Sequence, residues 1–170
     1  MNRPNTMETT TITGLLKERF PAGILVVDSS SDMLTITVSR EIIHDTIRFL
    51  KENPDLGFGF LTTLCGIHYP DDPLPFGVIY HLHNLEKNVR IRIKTFLPED
   101  DLHIPTITGL YSAANWLERE TYDFYGIIFD RHPNLIRILN VEYLDYFPMR
   151  KGYPLEDPTR EDKDDRFFGR

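Results

Sequence analysis

Residues 118–123 carry three carboxylates and one guanidinium, residue types that both general acid–base catalysis and structural ion pairs use. At about 100° per residue, Glu120 lies inside the apolar arc of a predicted helix. The arc consists of Ala113, Trp116, Leu117 and Phe124. A carboxylate on such a face is costly unless a base or backbone donors satisfy it. We therefore expect Glu120 to be buried and partnered.

The other charged residues of this helix extend the cluster. Arg119 and Asp123 are four residues apart, so they are expected to pair with each other. Glu118 is expected to lie toward Tyr122 and Tyr125. Because no nucleophile or serine–histidine arrangement accompanies the carboxylates, the sequence favours a structural or partner-facing charge network over a catalytic site.

Histidine and cysteine side chains suggest a second chemistry, that of a metal site. His81 and His83 point to the same side of a predicted strand, and Cys65 and His68 could add ligands. A polar sheet face explains the histidine spacing without a metal and is the preferred interpretation. Small apolar neighbours predict that Cys65 is a core thiol and not a nucleophile. A stand-alone histidine-based metalloprotein is kept as the minor alternative.

A basic stripe of Arg90, Arg92 and Lys94 alternates with apolar residues along residues 89–95. Such alternation is typical of a strand with one buried and one solvated face. A nucleic-acid platform would add exposed aromatic side chains among the basic residues, and the stripe has none. Since the formal net charge of the chain is −7, we expect no nucleic-acid partner.

Composition limits the remaining possibilities. The chain has 170 residues, 41% of them hydrophobic, which is enough for one self-sufficient core. Cys65 is the single cysteine, so the chain alone holds neither a disulfide nor an iron–sulfur cluster. Neither a long apolar run nor the apolar block of a secretory signal is present. We expect a soluble, intracellular chain that does not span a membrane.

The elements that position these residues follow from hydrophobic periodicity and turn residues. The predicted helices cover residues 11–20, 39–53 and 112–125. The predicted strands cover residues 24–27, 33–38, 58–69, 76–84 and 89–95. Ser39 and Ser112 are expected to cap helices, and Gly126 to end the third one in the left-handed conformation. The pattern predicts an α+β fold: a mainly antiparallel sheet of about five strands, with helices on one face and an extended C-terminal tail.

Beyond residue 140 the composition changes, which divides the chain into a domain over residues 1–140 and a tail over residues 141–170. Residues 140–170 hold fourteen charged residues and three prolines and have no helical period. They also hold six aromatic residues: Tyr143, Tyr146, Phe147, Tyr153, Phe167 and Phe168. Such a segment can hardly bury its own aromatic side chains, so we expect it to pack on partner subunits.

Residues 114–139 contain an ordered set of motifs. These are ANWLERETYDFYGI at 114–127, Phe129, HPNL at 132–135 and RIL at 137–139. FLT at 60–62, HYP at 68–70, VIYHL at 78–82 and LPED at 97–100 precede them, and PMRKGYPL at 148–155 follows. Over about residues 58–155 the chain closely resembles the C subunit of NADH:quinone oxidoreductase, the 30-kDa subunit family of respiratory complex I. Phe147 stands where that family often has histidine.

The resemblance implies a non-catalytic structural and assembly subunit in the hydrophilic arm of a proton-translocating NADH:quinone oxidoreductase. It implies that this chain binds no cofactor, because FMN and the iron–sulfur clusters that carry electrons from NADH to quinone belong to other subunits. The implied partners are chiefly the D and B subunits. The implied location is the cytoplasmic side of the plasma membrane, with membrane contact only through the complex. The alternative is the equivalent subunit of a hydrogenase-type or other-donor membrane complex.

The resemblance also marks signature residues that we expect at subunit interfaces. These are Glu118, Arg119, Glu120, Asp123, Gly126, His132, Pro133, Arg137, Arg150, Lys151 and Tyr153. No catalytic, cofactor-binding or metal-binding residue is expected.

Overall fold

A five-stranded sheet and three helices make up the main body of the computed structural model, which describes residues 6–30 and 33–153. The helices are α1 (Thr6–Arg19), α2 (Ile43–Glu52) and α3 (Ala114–Tyr125). The sheet strands are β1 (Ile24–Asp28), β2 (Leu34–Val38), β3 (Phe60–His68), β4 (Phe76–Asn84) and β5 (Val89–Leu97). The predicted α+β class is confirmed. Among these described residues, no helix is long and apolar enough to cross a membrane.

The strand order is β1-β2-β5-β4-β3, which places β5 at the centre of the sheet. Strands β1 and β2 form the predicted antiparallel hairpin, and β3, β4 and β5 form the predicted antiparallel meander. The hairpin joins the meander through a parallel pairing of β2 with β5. Because the meander uses only one edge of β5, its other edge is free to take up β2.

One face of the sheet forms the core. Along β4 the side chains of Phe76, Val78, Tyr80 and Leu82 are fully buried. From Val78 onward, buried residues alternate with partly buried ones that point to the other face. Helix α2 adds Ile43, Ile47 and Leu50 to the same cluster. Burying each side chain of this size contributes about 1.5–3 kcal/mol to folding. The alternation predicted for β5 is confirmed, since its basic residues lie on the opposite face.

The predicted serine caps are wrong. Residues Arg40–Ile42 form one tight 3₁₀ turn before α2, and Ser39 makes no side-chain capping bond. Helix α3 begins at Ala114 without a side-chain cap from Ser112. Its first N–H groups already donate within preceding turns, from Ala114 to the Tyr111 carbonyl at 3.0 Å. A cap is therefore unnecessary there.

A second, two-stranded parallel sheet escaped prediction. It joins β6 (His103–Pro105) to β7 (Ile128–Asp130). Strands of three residues are too short to show a period of two, so the sequence gives no signal for them. Gly126 ends α3 with φ of 77°, as predicted, and turns the chain toward β7.

Candidate functional site

Helix α3 turns its charged side toward the interior. Glu118, Arg119 and Asp123 are buried, whereas Trp116 is 62% exposed. The predicted burial of Glu120 within an apolar arc is therefore wrong, since Glu120 is only partly buried and the arc lies toward the surface. Periodicity gave the wrong face because chain segments before and after the helix supply fixed hydrogen-bond partners for the inward charges.

Asp123 holds the segment that follows β7. Its Oδ2 accepts hydrogen bonds from three successive backbone N–H groups, those of Ile138 (3.0 Å), Leu139 (2.8 Å) and Asn140 (2.9 Å). Its Oδ1 accepts from the Arg137 guanidinium at 2.8 Å and the Asn140 amide at 3.1 Å. Burial acts to raise the pKa of Asp123, but these donors together outweigh burial and hold it well below its usual range. The carboxylate therefore stays charged and acts as an acceptor.

Arg137 connects α3 to the chain beyond residue 140. Its Nη1 also donates to the Asp123 carbonyl at 2.9 Å, and its Nη2 donates to the carbonyls of Leu144 at 2.8 Å and Tyr146 at 3.0 Å. The guanidinium lies 4.9 Å from the Phe147 ring centroid. One buried cation thus fixes the course of residues 144–147 against the helix.

Arg119 does not pair with Asp123, contrary to the i, i+4 prediction. Its Nε donates to the Ile136 carbonyl at 3.1 Å and its Nη2 to the Arg137 carbonyl at 3.3 Å. The guanidinium lies 5.0 Å from the centroid of Trp116. The predicted pair is absent because Asp123 is already saturated by donors from residues 137–140.

Glu118 is held by residues that precede the helix. Its Oε1 accepts the N–H of Ile107 at 2.7 Å, and its Oε2 accepts the hydroxyl of Thr106 at 2.5 Å. Burial raises the pKa of Glu118 to about 7, although both hydrogen bonds act to lower it. Two donors are too few to offset full burial, so this carboxyl titrates near neutrality.

His132 is neutral and structural. Its Nδ1 accepts the N–H of Asn134 at 3.0 Å, which leaves the proton on Nε2, and Nε2 donates to the Asn115 carbonyl at 3.1 Å. Burial lowers the pKa of His132. Its Nε2 is 3.9 Å from Glu118, but a neutral ring forms no ion pair there. Both ring nitrogens are occupied, so His132 is not placed to act as a general base.

Gly126 allows a close contact between α3 and the chain that follows. A Cβ at this position would lie 2.6 Å from Cε2 of Phe147. Arg150 caps the helix end, because its Nε donates to the Tyr125 carbonyl at 2.8 Å. Its guanidinium lies 4.8 Å from the Phe147 centroid, on the ring that Arg137 also contacts. These cation–π contacts fix residues 147–150 on the end of α3.

Comparison with known proteins identifies the family of the chain. Residues 36–159 match the model of the family described as respiratory-chain NADH dehydrogenase, 30 Kd subunit. The chain belongs to this family. Over 146 residues it is 40% identical to the C subunit of the NADH-quinone oxidoreductase of Citrifermentans bemidjiense, covering 86% of this chain and 89% of that protein. The chain is thus a non-catalytic component of the peripheral arm of complex I, as its resemblance predicts.

Two solved structures share the fold of this 30-kDa family member. A trypsin-resistant fragment of Nqo5, residues 1–134 of that protein, has a TM-score of 0.63 and 33% identity, covering 73% of this chain and 98% of the fragment. A chain from an archaeal membrane-bound sulfane sulfur reductase has a TM-score of 0.70 and covers 85% of each chain. Its identity of 24% shows the fold alone.

The histidines of this family member do not assemble into a metal site. Within residues 6–30 and 33–153, no group of three or more His, Cys, Asp or Glu residues could hold an ion. His81 accepts a hydrogen bond from Arg92 at 2.7 Å, and His83 lies 3.1 Å from the Asn88 amide oxygen. His68 is at the other end of the β3–β4 pair, where it accepts the N–H of Lys151 at 2.9 Å.

Cys65 is exposed, so its prediction as a core thiol is wrong. Strand β3 turns Leu64 and Gly66 inward, and the residue between them must point outward. Gly66 is required on the inner side, because a Cβ there would lie 2.4 Å from the Tyr125 ring of α3.

The structure gathers most of the predicted signature residues around α3. Lys151 instead donates its backbone N–H to His68 of β3, and Tyr153 packs on Tyr146 with ring centroids 4.9 Å apart. Glu120 and Pro133 lie outside the network of buried charges. Sequence reasoning missed the partners Thr106, Asn140 and Phe147. Only Phe147 had a signal, as an aromatic residue in the stretch from 140 onward.

Proposed function

We propose that the chain is a scaffold that docks neighbouring subunits, chiefly D and B, through the surface formed by α3 and residues 136–153. Large apolar side chains are exposed there, and we call them the C-terminal surface. They are Trp116, Ile136, Leu139, Val141, Tyr143, Tyr146, Met149 and Tyr153. Buried charges fix the backbone beneath them, so this apolar surface is presented in one conformation. Exposed apolar patches on a rigid support are typical of protein interfaces.

The main support for the proposal is the contrast between the inner and outer sides of residues 136–153. Arg119 and Asp123 of α3 hold residues 136–140 by hydrogen bonds, and Arg137 in turn holds Leu144 and Tyr146. Apolar side chains of the same segment point outward. A monomer in water would favour the opposite arrangement. The outward apolar side chains therefore suit a second protein. Leu139 and Tyr143 are its best-placed anchors, at 62% and 87% exposed.

The same proposal includes the division of the chain into a domain over residues 1–140 and a tail over residues 141–170. The Nqo5 fragment that resists trypsin comprises residues 1–134 of its protein, which supports a stable body that does without a long C-terminal tail. Residues 154–170, including Phe167 and Phe168, lie outside the described part of the chain.

The site also supports the proposed division of labour within the complex. Every buried charged group of α3 described above is occupied by structural hydrogen bonds, which leaves the chemistry to other subunits. We propose that FMN and the iron–sulfur clusters are bound there, and that this chain binds no cofactor. Its place is peripheral, on the cytoplasmic side of the plasma membrane, with membrane contact only through the complex.

Two truncations test the docking role by co-purification with the complex. Ending the chain after Asn140 removes five of the eight exposed side chains, so we expect association to be lost. Ending it after Tyr153 keeps all eight and is the matched control. Undiminished association of the shorter chain would contradict the proposal, and loss of association in the longer chain as well would move the interface to residues 154–170.

A further inference from the structure

The side of the five-stranded sheet opposite the core, here called the outer sheet face, carries a second unexplained surface. Paired residues of neighbouring strands point to the same side of a sheet, so the strand register identifies the members of this face. On the central strand β5 they are Arg90, Arg92 and Lys94. The alternate residues Ile91 and Ile93 are buried beneath the helices, on the other face. Helices α1, α2 and α3 all contribute side chains to the core on that other face.

Positive charge is concentrated here, in a chain whose formal net charge is −7. Among the described strands, the register places one carboxylate, Asp28, on this face. None of the three β5 cations forms an ion pair with a described carboxylate. Arg92 is held across the strands, since its Nε donates to His81 at 2.7 Å and its Nη1 to Thr35 at 3.4 Å. Arg92 is therefore fixed on the sheet, and Asp28 is the one carboxylate of the described strands that acts on these cations, through its electrostatic interaction with Lys94.

Apolar side chains accompany these cations. Val26 on the edge strand β1 is 56% exposed, and Phe60 on the opposite edge strand β3 is 47% exposed. Ile79 lies between them, directly across from Lys94. A flat face that combines arginine with apolar side chains is typical of protein–protein contacts. An extended polyanion fits less well, because the rest of the chain is strongly acidic and would repel it.

We propose that the outer sheet face docks an acidic surface of a neighbouring subunit of the complex. Carboxylates of that partner pair with Arg90, Arg92 and Lys94, and its apolar side chains pack against Phe60 and Ile79. Charge complementarity selects this partner, since the face offers three cations in a row along one strand against a single carboxylate, Asp28, on the described strands. The inference rests on the proposed role of the chain as a docking scaffold, but it uses a surface separate from the C-terminal surface.

Carbodiimide coupling in the purified complex tests this directly, because the reagent joins a lysine amine to a carboxylate that it contacts. We expect a cross-linked peptide between Lys94 and an aspartate or glutamate of another subunit. Lys94→Arg is the matched control for the coupling chemistry: it keeps the positive charge but lacks the amine, so that peptide must disappear. Cys65 lies on the same face, across from Ile79, and its maleimide labelling should be at least about tenfold slower in the complex than in the free chain, because interfaces exclude solvent.

Each other outcome overturns the proposal. Coupling of Lys94 only to its own chain, or to a second copy of it, would exclude a neighbouring subunit as the occupant. Equal labelling rates of Cys65 in the free and assembled chains would show that no subunit covers the face. Slower labelling of the free chain when only phosphatidylglycerol vesicles are added would make a lipid surface the occupant. The two proposals can fail separately. If truncation after Asn140 abolishes association but Lys94 does not couple to another subunit, only the outer-sheet-face proposal fails. If Lys94 couples but the truncated chain still associates, only the C-terminal-surface proposal fails.

Discussion

The two buried carboxylates of α3 differ in the number of donors that surround them. Asp123 accepts hydrogen bonds from three backbone N–H groups, an amide and a guanidinium, and its pKa is held well below the usual range. Glu118 accepts from one N–H and one hydroxyl, and its pKa is raised to about 7. Donor count thus decides which of the two remains charged, since both are fully buried.

The Asp123→Asn variant tests the structural role of the charge. It keeps the shape of the side chain but leaves the buried Arg137 without its counter-ion, so we expect a loss of about 3 kcal/mol in the free energy of unfolding. Urea denaturation of the full chain measures this. Asp145→Asn replaces an exposed carboxylate of the same segment and should change stability by less than about 0.5 kcal/mol. Similar values for the two variants would contradict the assigned role.

Glu118 makes stability depend on pH in a defined direction. Its pKa is about 7 in the folded chain against an ordinary value of 4.5, so the folded state binds more protons between these values. The contribution of Glu118 to stability therefore falls as pH rises from about 5 to 7 and is constant above.

Glu118→Gln should remove this dependence, because an amide stays neutral. We expect the variant to gain roughly 2–3 kcal/mol relative to the wild-type chain between pH 5 and pH 8, as measured by urea unfolding at each pH. Glu120→Gln on the same helix is the control and should follow the wild-type profile. Parallel profiles for Glu118→Gln and the wild type would show that Glu118 is charged throughout.

At the scale of secondary-structure elements, the end of α3 packs against residues 147–150, and the closest contact is at Gly126. We expect Gly126→Ala to destabilise the chain by about 2 kcal/mol, because alanine is strained at positive φ and its Cβ overlaps Phe147. Displacing that ring should also speed tryptic cleavage after Arg150 and Lys151, which gel analysis can follow. Gly109→Ala has no heavy atom within 4 Å of its Cβ and is the control. Equal cleavage rates in the two variants would argue against the contact.

The five strands of the main sheet could be predicted from the sequence, but β6, β7 and the orientation of α3 could not. Strand β5 alternates without interruption, so its two faces follow from period two alone. The inward charges of α3 are stable only because Thr106 and Asn140 supply donors from outside the helix. No local pattern encodes such long-range partners, so amphipathicity pointed to the wrong face. Family motifs located the cluster of signature residues, although the pairing within it needed the structure.

At the scale of the whole molecule, the chain joins a one-sided sheet to two surfaces of different character. The core face of the sheet is covered by helices, whereas the outer sheet face carries cations and the C-terminal surface carries exposed apolar side chains. An acidic chain with two such surfaces is suited to hold neighbouring proteins together. This accords with its membership of the 30-kDa subunit family.

A pair of leucine variants tests the docking role of the C-terminal surface most directly. Leu139 and Leu85 are 62% and 64% exposed, but only Leu139 belongs to that surface. We predict that Leu139→Ser reduces the fraction of the chain retained by the purified complex at least about tenfold, as expected for an interface anchor, while Leu85→Ser leaves it unchanged. Both variants should unfold at the same urea concentration as the wild-type chain. Equal retention of the two variants in the complex would contradict the account.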